Sequence, residues 1–172
     1  MGKIPNPTII IKTVANKTLL NMGLLALVTG GLFYFLNRPF GATYFHQKLR
    51  FIDRIIPRIS GLPSLIIDSF PAFVHPFSFS LIGMGLIAKT RISRFLVCFV
   101  FMSLNLFCEF GQRYKSMYLQ IIPDWFGSLP LLANTKNFFI YGTFDWCDVG
   151  AIVLGSLAAF AIAEYYAWRM AK

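Results

Sequence analysis

Apolar residues in this chain come in long unbroken runs. They do not alternate as in a half-buried strand, nor form only a narrow stripe as on a soluble surface helix. Four runs are long enough to cross a bilayer, at about 19–36, 70–88, 92–110 and 149–168. A helix needs ~20 mostly apolar residues to span the hydrocarbon core. Backbone groups there must be satisfied within the segment, which leaves helices as the reading for runs of this kind. The pattern predicts an all-α, polytopic integral membrane protein with four transmembrane helices in a single domain covering 1–172.

Details within the runs refine the picture. The first carries no charge and has Gly30-Gly31 at mid-span, where glycine is better tolerated than in water. The second opens near Pro71, which suits an early helical turn, and holds Pro76 deeper, where a kink or a freed carbonyl is expected. A tight basic turn with Lys89, Arg91 and Arg94 leads to the third. The fourth presents a small residue every fourth position: Ala151, Gly155, Ala159 and Ala163. Such a ridge lets another helix approach closely.

Both long connections contain segments too polar or too broken to span. In the first, Phe45, Leu49, Ile52, Ile56 and Ile59 recur at helical spacing. Gln47, Lys48, Arg50, Arg54 and Arg58 supply its polar and basic side. This predicts an amphipathic helix in the headgroup plane, or a surface helix laid over the bundle. In the second, residues 118–132 are apolar and aromatic but interrupted by Pro123 and Pro130. They read as interfacial, with Trp125 and Phe126 as anchors and Asp124 as a helix cap.

Composition agrees with the pattern. Of 172 residues, 56% are hydrophobic, 13% are charged and 19 are Phe. The net charge of +9 flanks apolar spans and forms no groove with stacking aromatics, so the counter-charge expected is anionic lipid headgroup and not nucleic acid. The 16 basic residues divide evenly between the two faces, which leaves orientation to the dense 89–94 turn and to the acids, six of seven of which avoid that side. These favour termini on the cytoplasmic side of a bacterial inner membrane; the basic segment 38–58 argues the other way. The basic N-terminal stretch reads as belonging to an uncleaved anchor, because the run after it is long enough to span and no small-x-small site follows. Cys98, Cys108 and Cys147 have no zinc-ligand spacing and read as small buried hydrophobes, with a Cys108–Cys147 bridge conceivable in an oxidising compartment.

The topology gathers polar residues. With four spans, the start of span two, the end of span three and the start of span four share one membrane face. His75, Glu109, Asp145 and Asp148 should therefore approach one another there. Asn105, Glu109 and Gln112 follow i, i+4, i+7 and share one helix face. Ionisable groups at membrane depth are costly unless they face a partner, water or the bundle interior. His75 could pair with Glu109, with Arg113 as a competing partner for the acids. The bland readings are an N-cap and N3 acid for Asp145 and Asp148, a structural histidine, and a carboxylate at water level. Glu164 with Arg169 and Lys172 reads as a solvated far end. No phosphate loop, nucleophile elbow or paired-histidine zinc motif is present, and neither a metal nor a cofactor is expected.

The same residues carry a resemblance. The stretch Phe70-Pro71-Ala72-Phe73-Val74-His75-Pro76-Phe77-Ser78-Phe79-Ser80-Leu81, the stretch Glu109-Phe110-Gly111-Gln112, and Gly142-Thr143-Phe144-Asp145-Trp146-Cys147-Asp148 with Gly155 downstream resemble motifs of VanZ-like membrane proteins, in order, over about 70–160. The resemblance implies a four-helix inner-membrane protein whose shared polar set is His75, Glu109, Gln112, Asp145 and Asp148.

Three functions follow as expectations. The first is a non-enzymatic factor that binds a lipid, a lipid-linked envelope precursor or another amphiphile at the polar cluster. The second is an accessory subunit of a larger membrane complex, packed through the fourth span. The third is an enzyme with Glu109 or an aspartate as base and His75 as acid.

Overall fold

A computed structural model describes residues 16–37, 64–130 and 132–172 of the chain. The basic segment with Lys48, Arg50, Arg54 and Arg58 lies outside the described residues. All regular structure among the described residues is helical, and four helices are long and apolar enough to cross a membrane. They are α1 (Lys17–Asn37), α2 (Ser64–Ile87), α3 (Arg91–Arg113) and α6 (Trp146–Met170). Between the last two lie α4 (Lys115–Ile121), a 3₁₀ turn (Asp124–Ser128) and α5 (Thr135–Tyr141). The chain is an all-α integral membrane protein.

Local chemistry sets the helix ends. Asn16 Oδ1 accepts the Leu19 amide at 3.2 Å and starts α1. Thr90 and Ser93 form a reciprocal capping box at α3, with Thr90 Oγ1 accepting the Ser93 N–H at 3.1 Å and Ser93 Oγ accepting the Thr90 N–H at 2.9 Å. Span two starts earlier than expected, at Ser64, and so places Pro71 inside the helix. The apolar run continues back through Leu65, Ile66 and Ile67. Asp68 does not end it, because its side chain is exposed on the outer face.

The second helix is central. It runs antiparallel to α1: the Asn16 amide donates to the Gly85 carbonyl at 2.6 Å, Phe33 meets Phe70 at 4.4 Å, and a Cβ on Gly30 would strike Val74. On its other side it packs along α6, and α3 closes against both. The small-residue ridge of α6 is consumed here. Gly155, Ala159 and Ala163 are buried, Ala151 partly so, and a Cβ on Gly155 would collide with the backbone carbonyl of Phe73. The ridge therefore seats a helix of the same chain, and a partner subunit would have to use another surface.

Burial is uneven along the bundle. Leu19, Leu81, Met84, Val97, Cys98, Ala159 and Ala163 form one cluster. It lies towards the end that carries the 88–90 turn. Arg94 Nε donates to Glu164 at 2.7 Å there, with Arg91 at 3.5 Å, and the Thr18 and Tyr166 hydroxyls are 2.9 Å apart. Glu164 is thus paired across helices, not simply solvated beside Arg169 and Lys172 as its sequence position suggests. All three cysteines are free, and only Cys98 is buried; Cys108 and Cys147 are exposed, which corrects the expectation of three buried thiols.

Candidate functional site

At the opposite end, four helix termini and the 114–145 connection come together. Glu109, in the last turns of α3, is 7% exposed, and its Oε1 accepts the backbone N–H of Asp145 at 2.9 Å. Asp145 is the N-cap of α6 and accepts the Cys147 N–H at 2.9 Å. In a capping box within one helix, the acid three residues after the cap would reach back to the cap amide. Here Glu109 reaches that amide from another helix. Asp148, the residue at the third helical position, lines a cavity instead. Glu109 lies within electrostatic range of both Asp145 and Asp148. The bland capping role and the clustering of acids are therefore one arrangement seen from two sides.

The cavity has a volume of about 370 Å³. Its lining is Tyr34 from α1, Gln112 from α3, Asn137, Phe138 and Tyr141 from α5, and Gly142, Thr143 and Asp148 around the start of α6. Gly142 makes room for the Gln112 amide: a Cβ there would sit 2.6 Å from Gln112 Cδ. Gly111 makes room in the same way beside Gln112, where Phe139 and Tyr118 press against α3 and are themselves buried. These contacts fold the connection back beneath the bundle. Farther along it, Trp125 is exposed and packs edge-on with Phe126 at 4.6 Å. Asp124 begins the 3₁₀ turn, whose N-cap is Pro123, and it pairs with Lys136.

His75 is not brought to Glu109. Phe79 stacks on Phe101 at 5.9 Å, which sets the antiparallel register of α2 and α3. Stepping one turn along each helix brings His75 level with Asn105, with Glu109 a further turn towards the membrane face. Asn105 spends its amide on the Phe101 carbonyl at 2.8 Å. The imidazole lies on an exposed stripe of α2 with Asp68, Phe79 and Leu86, and its ring neighbour is Phe79 at 6.3 Å. Among the described residues no hydrogen bond or ion pair joins it to a carboxylate. An acid–base pair of His75 with Glu109 therefore has no geometry behind it here. Arg113 does not compete for the acids either. Its guanidinium packs over Phe144 at 5.0 Å, Trp146 at 5.6 Å and Tyr114 at 5.9 Å.

Six lining residues lie outside the expected polar set: Tyr34, Asn137, Phe138, Tyr141, Gly142 and Thr143. Thr143 sits inside the Gly142–Asp148 motif and had a signal available. Tyr34 and Tyr141 look like ordinary interface tyrosines, and Asn137 has no sequence signature at all. Among the described residues there is no group of histidine, cysteine and acidic side chains placed to hold a metal ion. The bundle also bears an apolar groove. With a volume of about 350 Å³ between α1 and α2, it is lined by Met22, Leu25, Thr29, Phe70, Val74 and other apolar side chains. Phe70 of that groove packs on Phe33, the residue before Tyr34 in α1. Comparison with family models, with curated proteins and with solved structures finds no match for this chain.

Proposed function

We propose that this protein is a non-enzymatic, VanZ-like membrane factor that binds an amphiphile, with the polar head in the cavity below α1, α3 and α6. The observation that carries this reading is a largely polar cavity at one end of the spans, in a bundle that also bears an apolar groove between α1 and α2. A lipid or lipid-linked molecule needs both kinds of environment. Small-molecule sites are concave and combine apolar walls with a few convergent polar groups. The sequence resemblance around Glu109-Phe110-Gly111-Gln112 and Gly142–Asp148 adds support, since both motifs border the cavity. The basic flanks suit anionic lipid headgroups, and the dense 89–94 turn favours a bacterial inner membrane with the termini cytoplasmic.

The test is occupancy. Thr143 is exposed at the cavity wall, so Thr143→Trp should fill the cavity while leaving the helices intact. The full chain purified from its membrane should release a bound amphiphile in native mass spectrometry, and Thr143→Trp should carry none at unchanged helicity. An amphiphile retained by the filled variant would overturn the assignment.

A further inference from the structure

A second apolar groove lies near the 88–90 turn, and we infer that it seats one acyl chain of an anionic phospholipid whose phosphate is held by Lys89 and Arg91. This site is at the opposite end of the bundle from the cavity and does not depend on the amphiphile reading above. The groove runs between α2 and α3 and has a volume of about 400 Å³. Leu86, Ile87, Leu96 and Val100 line it, and all four are exposed. Gly83 and the buried Val97 complete the lining, and a Cβ on Gly83 would sit 2.9 Å from both Val97 and Phe101.

The groove opens towards lipid. Its exposed walls belong to two helices long and apolar enough to cross a membrane. The first helix meets α2 on a different side: Gly85 receives Asn16 and Leu20, whereas Gly83 faces α3. Two residues apart on a helix are about 200° apart around its axis.

Charge says which lipid. Ile87 is two residues before Lys89, and Leu96 is less than two turns into the helix that Arg91 begins. The groove therefore ends just below the basic turn. Lys89 and Arg91 are both exposed, and Arg91 stands 3.5 Å from Glu164, whose closer partner is Arg94 at 2.7 Å. Among the described residues, this end carries Lys17, Lys89, Arg91, Arg94, Arg169 and Lys172 against Glu164. An anionic head thus meets a surplus of positive charge. Lysine meets phosphate as a compact point charge, and the arginine fork binds it bidentately. Lipid tails are as apolar as the groove walls, so the groove fixes the chain by packing and the head group supplies the selectivity.

The experiment titrates the full-length protein, in a non-ionic detergent, with dioleoyl phosphatidylglycerol and dioleoyl phosphatidylcholine, which share their tails. Bound lipid is counted by native mass spectrometry. Phosphatidylglycerol should bind at least tenfold tighter, with the preference saturating at one lipid per chain. Lys89→Gln with Arg91→Gln should abolish the preference. Arg169→Gln with Lys172→Gln removes the same charge from the same end and should leave it intact. Val100→Trp should weaken both lipids several-fold. Leu104→Trp, exposed one turn further along α3 and outside the groove, should weaken neither. Equal affinity for the two lipids, equal losses in the two double variants, or indifference to Val100→Trp would overturn the assignment. The preference should also survive Thr143→Trp. Its loss there would place the lipid in the cavity, overturning this site and supporting the amphiphile reading instead.

Discussion

The two ends of the bundle solve the same problem in opposite ways. Both place carboxylates beside helix termini. At the end with the 88–90 turn, Glu164 is met by Arg94 and Arg91, and the buried cluster of Leu81, Met84, Val97 and Ala163 fills the space behind it. At the other end Glu109, Asp145 and Asp148 gather, the nearby arginine stacks on aromatic rings, and a cavity of about 370 Å³ remains. The difference teaches that burial alone does not mark function. A carboxylate whose charge is met by arginine closes a bundle. A carboxylate that accepts a backbone amide can join two helices without an arginine. The length of the connections fits this contrast: a three-residue turn forces tight packing, and the 114–145 segment has room to fold back and build walls.

The strongest way to break the comparison is to disturb the seam both ends share. Gly155→Leu drives a side chain into the Phe73 backbone, which cannot rotate away. Overpacking typically costs ~1–3 kcal/mol, and a backbone obstacle puts this variant at or above the top of that range. Unfolding in mixed micelles should show the loss at both ends together. Gly150→Leu is the control, because nothing lies within 4 Å of its Cβ position, and its stability should change by less than ~1 kcal/mol. Equal effects of the two would mean that α2 and α6 are not in close contact.

Next comes Glu109. Glu109→Ala strips the acceptor from the partly buried Asp145 amide and should cost about 1–2 kcal/mol, below the full penalty for orphaning a buried polar group. Glu109→Gln keeps an oxygen in place and should cost less than ~1 kcal/mol. At the closed end, Glu164→Gln should cost about 1 kcal/mol, since Arg94 is only partly shielded and solvent screens the pair. Salt separates the two sites. Raising ionic strength should shrink the Glu164 effect and leave the Glu109→Ala effect unchanged. Salt sensitivity at Glu109 would show that charge, not hydrogen bonding, ties α3 to α6.

Much of this contrast was legible in the sequence, for a physical reason. Spans, their order and the face at which their ends meet depend on local runs of apolar residues and on the parity of crossings. Those properties survive without tertiary detail, so Glu109 and Asp145 could be brought to one end from the sequence alone. What failed depends on rotation about a helix axis. His75 is near the expected depth but faces outward, because α2 turns Val74 to α1 and Phe73 to α6, leaving position 75 on the open side. The small-residue ridge does admit a helix closely, and only packing identifies that helix as α2. Arg113 illustrates a third limit: three aromatic rings 31–33 residues downstream or adjacent in sequence out-compete acids that look closer on paper. Only packing reveals that choice.

The smallest effect lies in the connection that separates the two ends' behaviour. Asp124 and Lys136 tie the 3₁₀ turn to α5, the helix that supplies Asn137 and Tyr141 to the cavity. The hydrogen bond and charge of Lys136 hold the Asp124 carboxyl below its ordinary value. A carboxyl depressed in the folded chain stabilises it above the ordinary carboxylate range near ~4, and that contribution fades as pH falls through the lowered value. Both groups are exposed to solvent, so global stability should barely move. Hydrogen exchange should detect it locally: amides of 135–141 should lose protection as pH drops below about 4 after correction for intrinsic rates, and Asp124→Asn should abolish that dependence. A dependence that persists in Asp124→Asn would assign the titration to the carboxylates around the cavity instead. The cavity wall would then be the pH-sensitive element, and the tether a bystander.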